Sequence, residues 1–401
     1  MGKMPKVLLL GLFDTAVATA RCLRPCGAKL IGVDFDPSLS GFSSRLIRPF
    51  LIPCRPEEEI RAVHFIIDVI KAEGGRVIAI PTSDQFVLLL SKYRQAFSPY
   101  ADFLIPGTGS VETVIRRDQQ FEAARQAGLM VPEYVSGPAD CESILGRDWP
   151  FPIVVKPSNI VEWQKHFRKK GFVIYDPGEL AAVLADVNAK TSCYLVQKVI
   201  PGDTTRNYEV NSLYLPDGRL IQHTIHKLRQ YPDLFGTATC IENYPDEALE
   251  AMAARFIRQN SLFGFTNIEF KYSEADQACY YIETNTRVWL QINFSKSLGF
   301  DFAGMYYAYL GGRQVAQTSP RPAAKGKWVD PLPDTLFWIK HRLKYNLSFF
   351  SFLKSWFPLK ATSLFSFSDP LPFLKELKLG KRLLRFLKQR THALLPFHQA
   401  G

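Results

Sequence analysis

A hydrophobic stretch with polar residues at every second position is the feature that most constrains the fold. Residues 279–291, CYYIETNTRVWLQ, begin as an apolar strand and then carry Glu283, Asn285 and Arg287 at alternate positions. Successive side chains of an extended chain point to opposite faces, so a strand here would place these three side chains, together with Tyr281, on one face. The pattern predicts a strand on which a carboxylate, an amide and a guanidinium converge.

A second carboxylate lies one predicted hairpin upstream. Residues 265–285 are typical of two strands joined by a turn near residues 273–277, and Glu269 belongs to the first strand. If the strands pair around that turn, Glu269 faces Glu283 and Asn285 across the ladder. Two carboxylates and an amide oxygen are hard ligands, which Mg²⁺ accepts while phosphate oxygens and water complete its coordination. The hairpin therefore predicts a Mg²⁺ site.

The N-terminal region has the alternation of a parallel α/β sheet. Residues 6–12, KVLLLGL, form a short apolar run, a helical pattern follows, and residues 29–36, KLIGVDFD, predict a second strand. Residues 76–84, RVIAIPTSD, predict a further strand with polar residues at its C-terminal end, where open α/β sheets bind ligands. Gly11 alone is not a dinucleotide fingerprint, so we do not expect a dinucleotide site here.

Lysine-bearing strands and antiparallel hairpins follow this region. Residues 112–134 predict an amphipathic helix that ends at Gly128, and residues 150–158, PFPIVVKPS, predict a buried strand that carries Lys156. Residues 194–203 predict another strand, which ends in a Pro-Gly turn. A lysine on a buried strand is either a snorkelling residue at a sheet edge or a phosphate ligand on a rigid element.

Composition indicates a folded, soluble protein of more than one domain. A chain of 401 residues with 47% hydrophobic and 22% charged residues is expected to form two or three domains. No window approaches the roughly 18 apolar residues of a membrane span, and the N-terminus lacks the features of a signal peptide. We therefore expect a cytoplasmic protein. Seven scattered cysteines favour reduced thiols over a disulfide framework.

The ordered set of motifs resembles the ATP-grasp superfamily. The set comprises the N-terminal α/β region, a basic residue in the helix before AGLMVP, the strand FPIVVKP, the segment VQKVIPG and the pair NIEF and IETNTR. It covers about residues 6–310, and its most specific part is an acidic strand residue followed about a dozen residues later by Glu-x-Asn. The stretches GVDFDPSLSGFSSR and HKLRQYPDLFGTAT are most similar to the carboxylate–amine ligase branch, which includes D-aspartate ligase-like proteins.

This resemblance implies an ATP-grasp fold of the α/β (α+β) class in four segments. They are an N-terminal parallel α/β domain at 1–110, a small lid subdomain at 111–192, a C-terminal antiparallel-sheet subdomain at 193–330 and a basic, aromatic-rich helical extension at 331–401. The resemblance also implies an ADP-forming ligase that joins a carboxylate to an amine through an acyl phosphate. Its cofactors would be ATP and Mg²⁺, or Mn²⁺ in place of Mg²⁺. The substrates would be a small carboxylate and an amine, such as an amino acid, an amine-bearing metabolite or a cell-wall or peptide precursor.

Three groups of site residues follow from the resemblance. The metal group, which would hold Mg²⁺, comprises Glu269, Glu283 and Asn285. The ATP group would contact the phosphates, the adenine edge and the ribose, and comprises Arg117, Lys156, Gln197, Lys198, Val199, Ile200 and Glu209. The catalytic group would face the transferring phosphate or the acyl substrate, and comprises Arg287, Lys227 and Arg229.

Each implied role agrees with simple electrostatics. Lys156 would contact the α- and β-phosphates, residues 197–200 would run past the adenine through backbone groups, and Glu209 would lie toward the ribose. Metals and cations neutralise phosphate charge, and a cation such as Arg287 stabilises the charge that develops on transfer. For the pair at 227 and 229 the alternative is an exposed edge strand protected by charge. His223 and the histidine three residues later lack a third ligand, so a core or surface role is expected.

Three departures from the superfamily pattern bear on the site. Arg117 stands where the superfamily usually has lysine, and arginine binds phosphate as a fork. Gln291 stands where some relatives carry an acid near the substrate. The loop after Lys156, SNIVEWQKHFRKKG, lacks the usual glycines. Its cations either supply charge in place of backbone amides or belong to a solvated loop, and they are Lys165, His166, Arg168, Lys169 and Lys170.

The C-terminal extension carries most of the excess positive charge. Residues 331–401 contain twelve Lys or Arg and three Asp or Glu, interleaved with Phe, Trp and Leu. For residues 333–360 we favour packing on the catalytic body or on a second subunit, so a homodimer is left open. For residues 373–390 we favour a helix that lies on an anionic membrane. Without a recognised module, nucleic-acid binding is not expected.

A non-catalytic alternative is left open by the sequence. The chain would then be a nucleotide-binding, membrane-peripheral regulatory or scaffold protein that binds ATP without turnover. Arg117 and the missing glycines favour this alternative, whereas the intact set of Glu269, Glu283 and Asn285 favours a ligase.

Overall fold

The computed structural model of the protein describes residues 5–233, 235–315, 325–343 and 346–378. This part of the chain contains three sheets, of five, four and seven strands. They follow one another along the sequence, with the parallel sheet first, the small sheet second and the large sheet last. The predicted order of an α/β region, lysine-bearing strands and antiparallel hairpins is confirmed.

The first sheet is parallel, with helices on both faces, and its strand order is β3-β2-β1-β4-β5. Its strands are β1 (Lys6–Leu10), β2 (Leu30–Asp34), β3 (Ile47–Leu51), β4 (Val77–Pro81) and β5 (Ala101–Asp102). Its helices are α1 (Asp14–Leu23), α2 (Glu59–Ala72), α3 (Asp84–Lys92) and α4 (Arg94–Phe97). Leu8 and Leu10 pack with α2 and α3, while Val7 and Leu9 pack with α1, as the alternation of a strand buried on both faces requires.

The second sheet is small and antiparallel, with strand order β6-β9-β7-β8. Its strands are β6 (Tyr134–Ser136), β7 (Ile153–Pro157), β8 (Phe172–Ile174) and β9 (Tyr194–Lys198). The helices in this region are α5 (Thr108–Ile115), α6 (Arg117–Gln126), α7 (Cys141–Leu145), α8 (Ile160–Gln164) and α9 (Pro177–Asn188).

The helix that we predicted from residue 112 is interrupted at Arg116, which corrects the sequence analysis. Arg116 is extended, with φ −98° and ψ 115°, and forms an isolated bridge with Asn159. The N–H of Arg117 donates to the carbonyl oxygen of Ser158 at 2.8 Å. A side-chain pattern with helical spacing does not reveal this break, because the cause is backbone pairing with a segment about forty residues away. The break makes Arg117 the first residue of α6.

The third sheet is the largest, with strand order β14-β13-β10-β11-β12-β15-β16. Its strands are β10 (Asn207–Tyr214), β11 (Leu220–Tyr231), β12 (Thr237–Asn243), β13 (Gly264–Ser273), β14 (Ala278–Asn285), β15 (Lys327–Val329) and β16 (Leu359–Thr362). Its neighbours are antiparallel except for the parallel pair β15 and β16. The helices that follow its strands are α10 (Glu247–Gln259), α11 (Ile292–Ser297) and α12 (Phe302–Leu310).

One hydrophobic core joins the first and third sheets. Leu9 of β1 and Leu213 of β10 belong to the same buried cluster. Tyr306 of α12 links the sheets, since its hydroxyl donates to the carbonyl oxygen of Ala79 at 3.0 Å and accepts from the N–H of Leu104 at 2.8 Å. The segments 1–110 and 193–330 therefore share a core, and their boundaries as domains stay a prediction.

The C-terminal extension adds α13 (Pro331–His341), α14 (Phe349–Lys354) and α15 (Leu371–Lys378). Asp334 anchors it, because this buried carboxylate accepts hydrogen bonds from Arg229 at 2.8 Å, from Thr239 at 2.7 Å and from Trp356 at 2.7 Å. This anchor holds α13 against the body, which is one of the two packings that we favoured for residues 333–360.

The segment predicted to face a membrane is described only in part. Its residues 373–378 belong to α15, and residues 379–390 lie outside the described residues. Within the described ranges, no helix has the length and apolar character needed to cross a bilayer.

The cysteines and His223 lie in structural positions. All seven cysteines lie in described residues as free thiols, and burial raises the pKa of Cys22 and of Cys240 to about 12. His223 is buried, with its ring nitrogens 3.2 Å from Ser295 Oγ and 3.0 Å from Asn243 Oδ1. Burial lowers the pKa of His223 to about 4, against the opposing hydrogen bond to Asn243.

We expect His223 to make the fold acid-sensitive. The unfolded histidine takes up its proton near pH 6.5 and the folded one only near 4, so stability falls as pH falls through that window. The loss across the window is on the order of 3 kcal/mol. The free energy of unfolding, measured by chemical denaturation at about pH 5 and about pH 8, should differ less between the two pH values for His223→Gln than for the parent. The control His64→Gln, at an exposed position, should show the same difference as the parent. If His223→Gln lost as much unfolding free energy between these two pH values as the parent does, this role would be contradicted.

Candidate active site

A cleft of about 730 Å³ lies between the small sheet and the large sheet. Eleven of the thirteen predicted site residues line it, while Lys198 and Arg229 do not. The eleven are Arg117, Lys156, Gln197, Val199, Ile200, Glu209, Lys227, Glu269, Glu283, Asn285 and Arg287. Residues that are up to 170 positions apart in the sequence thus meet around one cavity, with the small sheet and the large sheet each contributing a wall.

The hairpin of β13 and β14 aligns the predicted metal group. Glu269 is paired with Glu283 and Asn267 with Asn285 in the antiparallel register, after a one-residue shift from the register beside the turn. Asn285 Nδ2 donates to Asn267 Oδ1 at 3.3 Å and to Glu283 Oε1 at 3.5 Å. Because the amide nitrogen makes these bonds, the amide oxygen of Asn285 is the atom suited to a cation.

Tyr281 does not share the face of Glu283, which corrects the sequence analysis. The register of the hairpin shifts between Glu269 and Phe270, so Ile282 lines the cleft beside Glu283. Tyr281 is fully buried on the other side of the sheet, where its hydroxyl contacts Gln120 at 2.9 Å and Thr284 at 2.7 Å. A bulge adds one residue to a strand and reverses the alternation beyond it.

Two cations balance the carboxylates of the cleft. The Arg117 guanidinium contacts the Glu283 carboxylate, and Lys227 Nζ lies 3.3 Å from Glu269 and 3.5 Å from Glu209. Burial acts to raise the pKa of Glu283, but the charges of Arg117 and Lys156 outweigh it and lower the pKa to about 2.

The pKa values of Glu269 and Lys227 are both raised in this cluster, but for different reasons. Burial raises the pKa of Glu269 to about 7, with Lys227 opposing and Glu283 adding to the rise. Burial acts to lower the pKa of Lys227, but Glu269 and Glu209 raise it well above its usual range. The cluster holds an ionised Glu283 beside a carboxyl group that binds a proton easily, which is an arrangement that an added cation would stabilise.

The donor set fits a metal ion that arrives with phosphate. Within the described ranges, no group of three or more His, Cys, Asp or Glu side chains is placed to bind a metal by itself. Glu269, Glu283 and Asn285 offer two carboxylates and one amide oxygen, which suits Mg²⁺ if phosphate oxygens and water fill the other positions. The side chains of Glu269 and Glu283 are 24% and 26% exposed, so both remain accessible from the cleft.

Lys156 lies on a central strand, which argues against a snorkelling edge residue. Its strand β7 is paired on both sides, with β9 and with β8. Burial and the charge of Arg117 lower the pKa of Lys156 to about 8, and its Nζ lies 5.5 Å from the centre of the Phe235 ring. A desolvated ammonium group in a cleft wall is suited to bind a phosphate, as the ATP group requires.

One end of the cleft is formed by the segment 197–200. Gln197 is buried, and within the described structure its Oε1 has no hydrogen-bond partner. A buried acceptor of this kind would be satisfied by a ligand amino group such as that of adenine. The side chain of Lys198 points away and pairs with Glu133 at 2.9 Å. Asp203 also lines this end, although we missed it despite its position in the predicted Pro-Gly turn.

The structure adds to what the sequence indicated for Glu209 and differs from it for Arg229. Glu209 accepts from Asn267 Nδ2 at 3.0 Å and pairs with Glu269 in the register of β10 and β13, so it lies in the carboxylate cluster, and its role toward the ribose stays a prediction. Arg229 lies outside the cleft because Asp334 of the extension binds its guanidinium. A bulge between Lys227 and Arg229 breaks the alternation that grouped them in the sequence.

The cleft wall also includes residues that sequence reasoning missed. Arg287 lines the cleft with its Nε 2.9 Å from Asp84 Oδ1, and buried Gln291 lines it as well. Asp84 ends the stretch RVIAIPTSD, so the rule that ligands bind beyond the carboxyl ends of parallel strands could have identified it. Phe337 and His341 of α13 also line the cleft, and the basic tail gave no signal for this.

The basic loop after Lys156 is mostly structural. Within it α8 presents Trp163, which is fully buried and packs on Phe167 with ring centres 4.4 Å apart. Lys165 pairs with Glu162 at 2.6 Å. Lys170 lines the cleft, so among the five cations it is the one whose predicted role as a source of charge has support in the geometry.

Solved structures with similar folds include two that contain adenine nucleotides. N5-carboxyaminoimidazole ribonucleotide synthetase with ADP has a TM-score of 0.65 and 12% identity, over 86% of this chain and 87% of that chain. The biotin carboxylase domain of the Hydrogenobacter thermophilus 2-oxoglutarate carboxylase, with MgADP, ADP and bicarbonate, has a TM-score of 0.62 and 15% identity, over 81% and 74%. L-amino acid ligase from Bacillus licheniformis has a TM-score of 0.60 and 14% identity, over 81% and 79%.

Sequence comparison finds no relative in addition to these solved structures. No protein-family model matches the sequence, and no curated protein matches it at a significant level. The structural similarity extends over most of each chain at low identity. The chain therefore has the ATP-grasp fold, with an N-terminal parallel α/β sheet, a small antiparallel sheet and a larger mixed C-terminal sheet.

Proposed function

We propose that the protein is an ATP- and Mg²⁺-dependent ligase that joins a carboxylate to an amine and releases ADP and phosphate. The observation that carries this proposal is the pairing of Glu269 with Glu283 on the wall of a cleft that also contains Lys156. Like charges held opposite each other on neighbouring strands are destabilising. Arg117 and Lys227 offset this pair in the described structure, and a bound Mg²⁺ would take over the contact that Arg117 makes with Glu283. The similar folds of the nucleotide-bound carboxylase domain and of the L-amino acid ligase support the same class of reaction.

The reaction has two steps, both of which conserve atoms and charge. A carboxylate oxygen of the first substrate attacks the γ-phosphorus of ATP, and the bond to the β-phosphate oxygen breaks, which gives an acyl phosphate and ADP. The amine nitrogen of the second substrate then attacks the acyl carbon, phosphate leaves with the electron pair of the broken bond, and the nitrogen loses its proton to phosphate or water. No side-chain nucleophile is required.

The protein residues contribute position and charge. Lys156 and Arg117 bind the phosphates, and Arg287 faces the acyl group. Glu269, Glu283 and Asn285 would hold Mg²⁺, which when bound neutralises phosphate charge. Arg117 must exchange its contact with Glu283 for phosphate when nucleotide and metal enter, because a carboxylate on the metal is no longer available to it.

The side chains that line the cleft indicate which acids and amines could bind. Arg287 offers a cation for a carboxylate and buried Gln291 offers an amide, while Phe337 offers apolar surface elsewhere on the cleft wall. We propose a small carboxylate and an amine, among amino acids, amine-bearing metabolites or cell-wall precursors. A place in the carboxylate–amine ligase branch, with a cytoplasmic location, is part of the same proposal.

Hydroxylamine trapping tests this function. The full chain is incubated with ATP, Mg²⁺, hydroxylamine and a panel of amino, hydroxy and dicarboxylic acids, and both hydroxamate and ADP are measured. We expect at least one acid to give a hydroxamate and to stimulate ADP release only with Mg²⁺ present. The contact between Arg117 and Glu283 favours the non-catalytic alternative, which predicts bound ATP with neither product for every acid and amine tried.

The side chain of Phe337 should affect KM for the organic substrate more than KM for ATP. We propose that Phe337 contacts the organic substrate, so Phe337→Ala should raise KM for the acid or the amine about tenfold through the loss of apolar surface, with little change in KM for ATP. Phe357→Ala is the matched control, since Phe357 belongs to the same extension, is 66% exposed and does not line the cleft. Equal changes in the constants for ATP and for the organic substrate would exclude this role for Phe337.

A further inference from the structure

The C-terminal extension exposes an unusual number of large apolar side chains. Ten of the seventeen exposed large hydrophobic residues in the described part of the chain lie between residues 339 and 377. Leu343, Phe350 and Phe367 are 88%, 82% and 91% exposed. Single exposed hydrophobic residues are common on protein surfaces, but this concentration in one short segment is typical of a surface that meets another phase or molecule.

Part of this apolar surface is held together by ring contacts. Trp338 near the end of α13 packs against Phe349 at the start of α14, with ring centres 5.3 Å apart, and its Nε1 donates to the carbonyl oxygen of Leu347 at 2.9 Å. These contacts bring the end of α13 close to the start of α14. Leu343 and Phe350 therefore project from one structural unit, which we call the aromatic tip and define by Leu343, Phe349 and Phe350.

A second apolar surface of the same kind follows in the chain. Phe365 packs against Phe367 and Phe373, with ring centres 5.0 and 5.3 Å apart. On α15, Leu371, Leu374 and Leu377 are spaced by three residues, and they are 41%, 43% and 47% exposed. This helix thus has one leucine-lined face that is open to solvent in the described structure.

The charge of the extension indicates which kind of partner it would meet. Residues 331–401 hold twelve Lys or Arg and three Asp or Glu. Two of the three acids, Asp334 and Asp369, are fully buried, where Asp334 accepts from Arg229 and Asp369 from Ser44. Two carboxylates that would repel an anionic partner are therefore removed from the surface, while the exposed cations Arg342, Lys354 and Lys360 remain there.

We propose that the extension docks the protein on the surface of an anionic lipid bilayer through the aromatic tip and the leucine-lined face of α15. Protein interfaces are depleted in lysine, whereas the membrane interface favours apolar and aromatic side chains interleaved with Lys and Arg. The exposed side chains enter the boundary of the acyl chains, and the cations contact lipid phosphates. Docking at the surface requires no membrane-spanning helix and is independent of the proposed ligase activity.

Vesicle flotation with the full chain tests this proposal. The probes are vesicles of phosphatidylcholine alone and vesicles that also contain phosphatidylglycerol, at low and at high salt. We expect binding to the anionic vesicles that weakens at high salt, because screening removes part of the attraction. Replacing both Leu343 and Phe350 by serine should reduce the partition coefficient at least about tenfold, since two apolar side chains no longer leave water.

Controls separate this surface from other sources of binding. Serine at both Ile60 and Leu145, which are 60% and 43% exposed in other parts of the fold, should leave vesicle binding unchanged. Thermal unfolding of each variant verifies that it is folded. The absence of binding to anionic vesicles, or equal binding by the Leu343→Ser, Phe350→Ser double variant, would overturn the proposal. Self-association of the parent that the same double variant abolishes, without vesicle binding, would assign the surface to a second copy of the chain.

Discussion

Glu283→Gln is expected to abolish most ADP formation, with a decrease in kcat of about 10²- to 10³-fold. The substitution keeps the shape of the side chain and removes the charge that pairs with Arg117 in the unliganded protein and that would hold Mg²⁺ during turnover. The pKa of Glu283 is lowered to about 2, so the parent carries this negative charge at every pH of interest. The measurement is the rate of ADP release at saturating ATP and Mg²⁺, with the acid found by hydroxylamine trapping.

The matched control for this variant is Glu122→Gln. Glu122 lies on α6, near Arg117 in sequence, and its side chain is 57% exposed. The control should keep parental activity, and both variants should retain the parental unfolding temperature within a few degrees. If Glu283→Gln turned over ATP at the parental rate, the assignment of the metal group would be wrong. The carboxylate pair in the cleft would then have a different role.

The hairpin and its turn were predictable because they depend on local information. A short turn near residues 273–277 sets which residues of β13 and β14 face each other beside it, and this turn can be recognised from composition. Continued unchanged from the turn, that register would place Ile282 opposite Glu269, and the bulge that leaves Ile282 unpaired brings Glu283 there instead. The bulge that turns Tyr281 into the core could not be predicted, because it depends on the packing of both faces of the finished sheet.

Residues whose position depends on distant partners were predicted less well. Arg229 was grouped with Lys227 by strand alternation, yet its guanidinium is held by Asp334, which is 105 positions further along the chain. The same holds for Phe337, which lines the cleft because that carboxylate anchors α13 against β11. A sequence pattern gives spacing along one strand or helix, whereas these contacts depend on how separate elements pack.

Lys227→Met is expected to produce the largest loss of stability. The side chain of Lys227 is 6% exposed and lies between Glu209 and Glu269, which face each other across β10 and β13. Removing one partner of a buried ionic group leaves uncompensated charge, which costs about 3–5 kcal/mol. The free energy of unfolding, measured by chemical denaturation without nucleotide or metal, should fall by about this amount at about pH 8.

The pH dependence of this variant distinguishes a charge effect from lost packing. Burial already raises the pKa of Glu269 to about 7, and without Lys227 it should rise further. A group whose folded pKa is raised stabilises the protein below the unfolded pKa and loses that effect as pH rises through the folded pKa. Lys227→Met should therefore lose less stability at about pH 5 than at about pH 8, and adding Glu209→Gln should restore part of the loss. A deficit that is independent of pH and unchanged by Glu209→Gln would mean that Lys227 acts through packing alone.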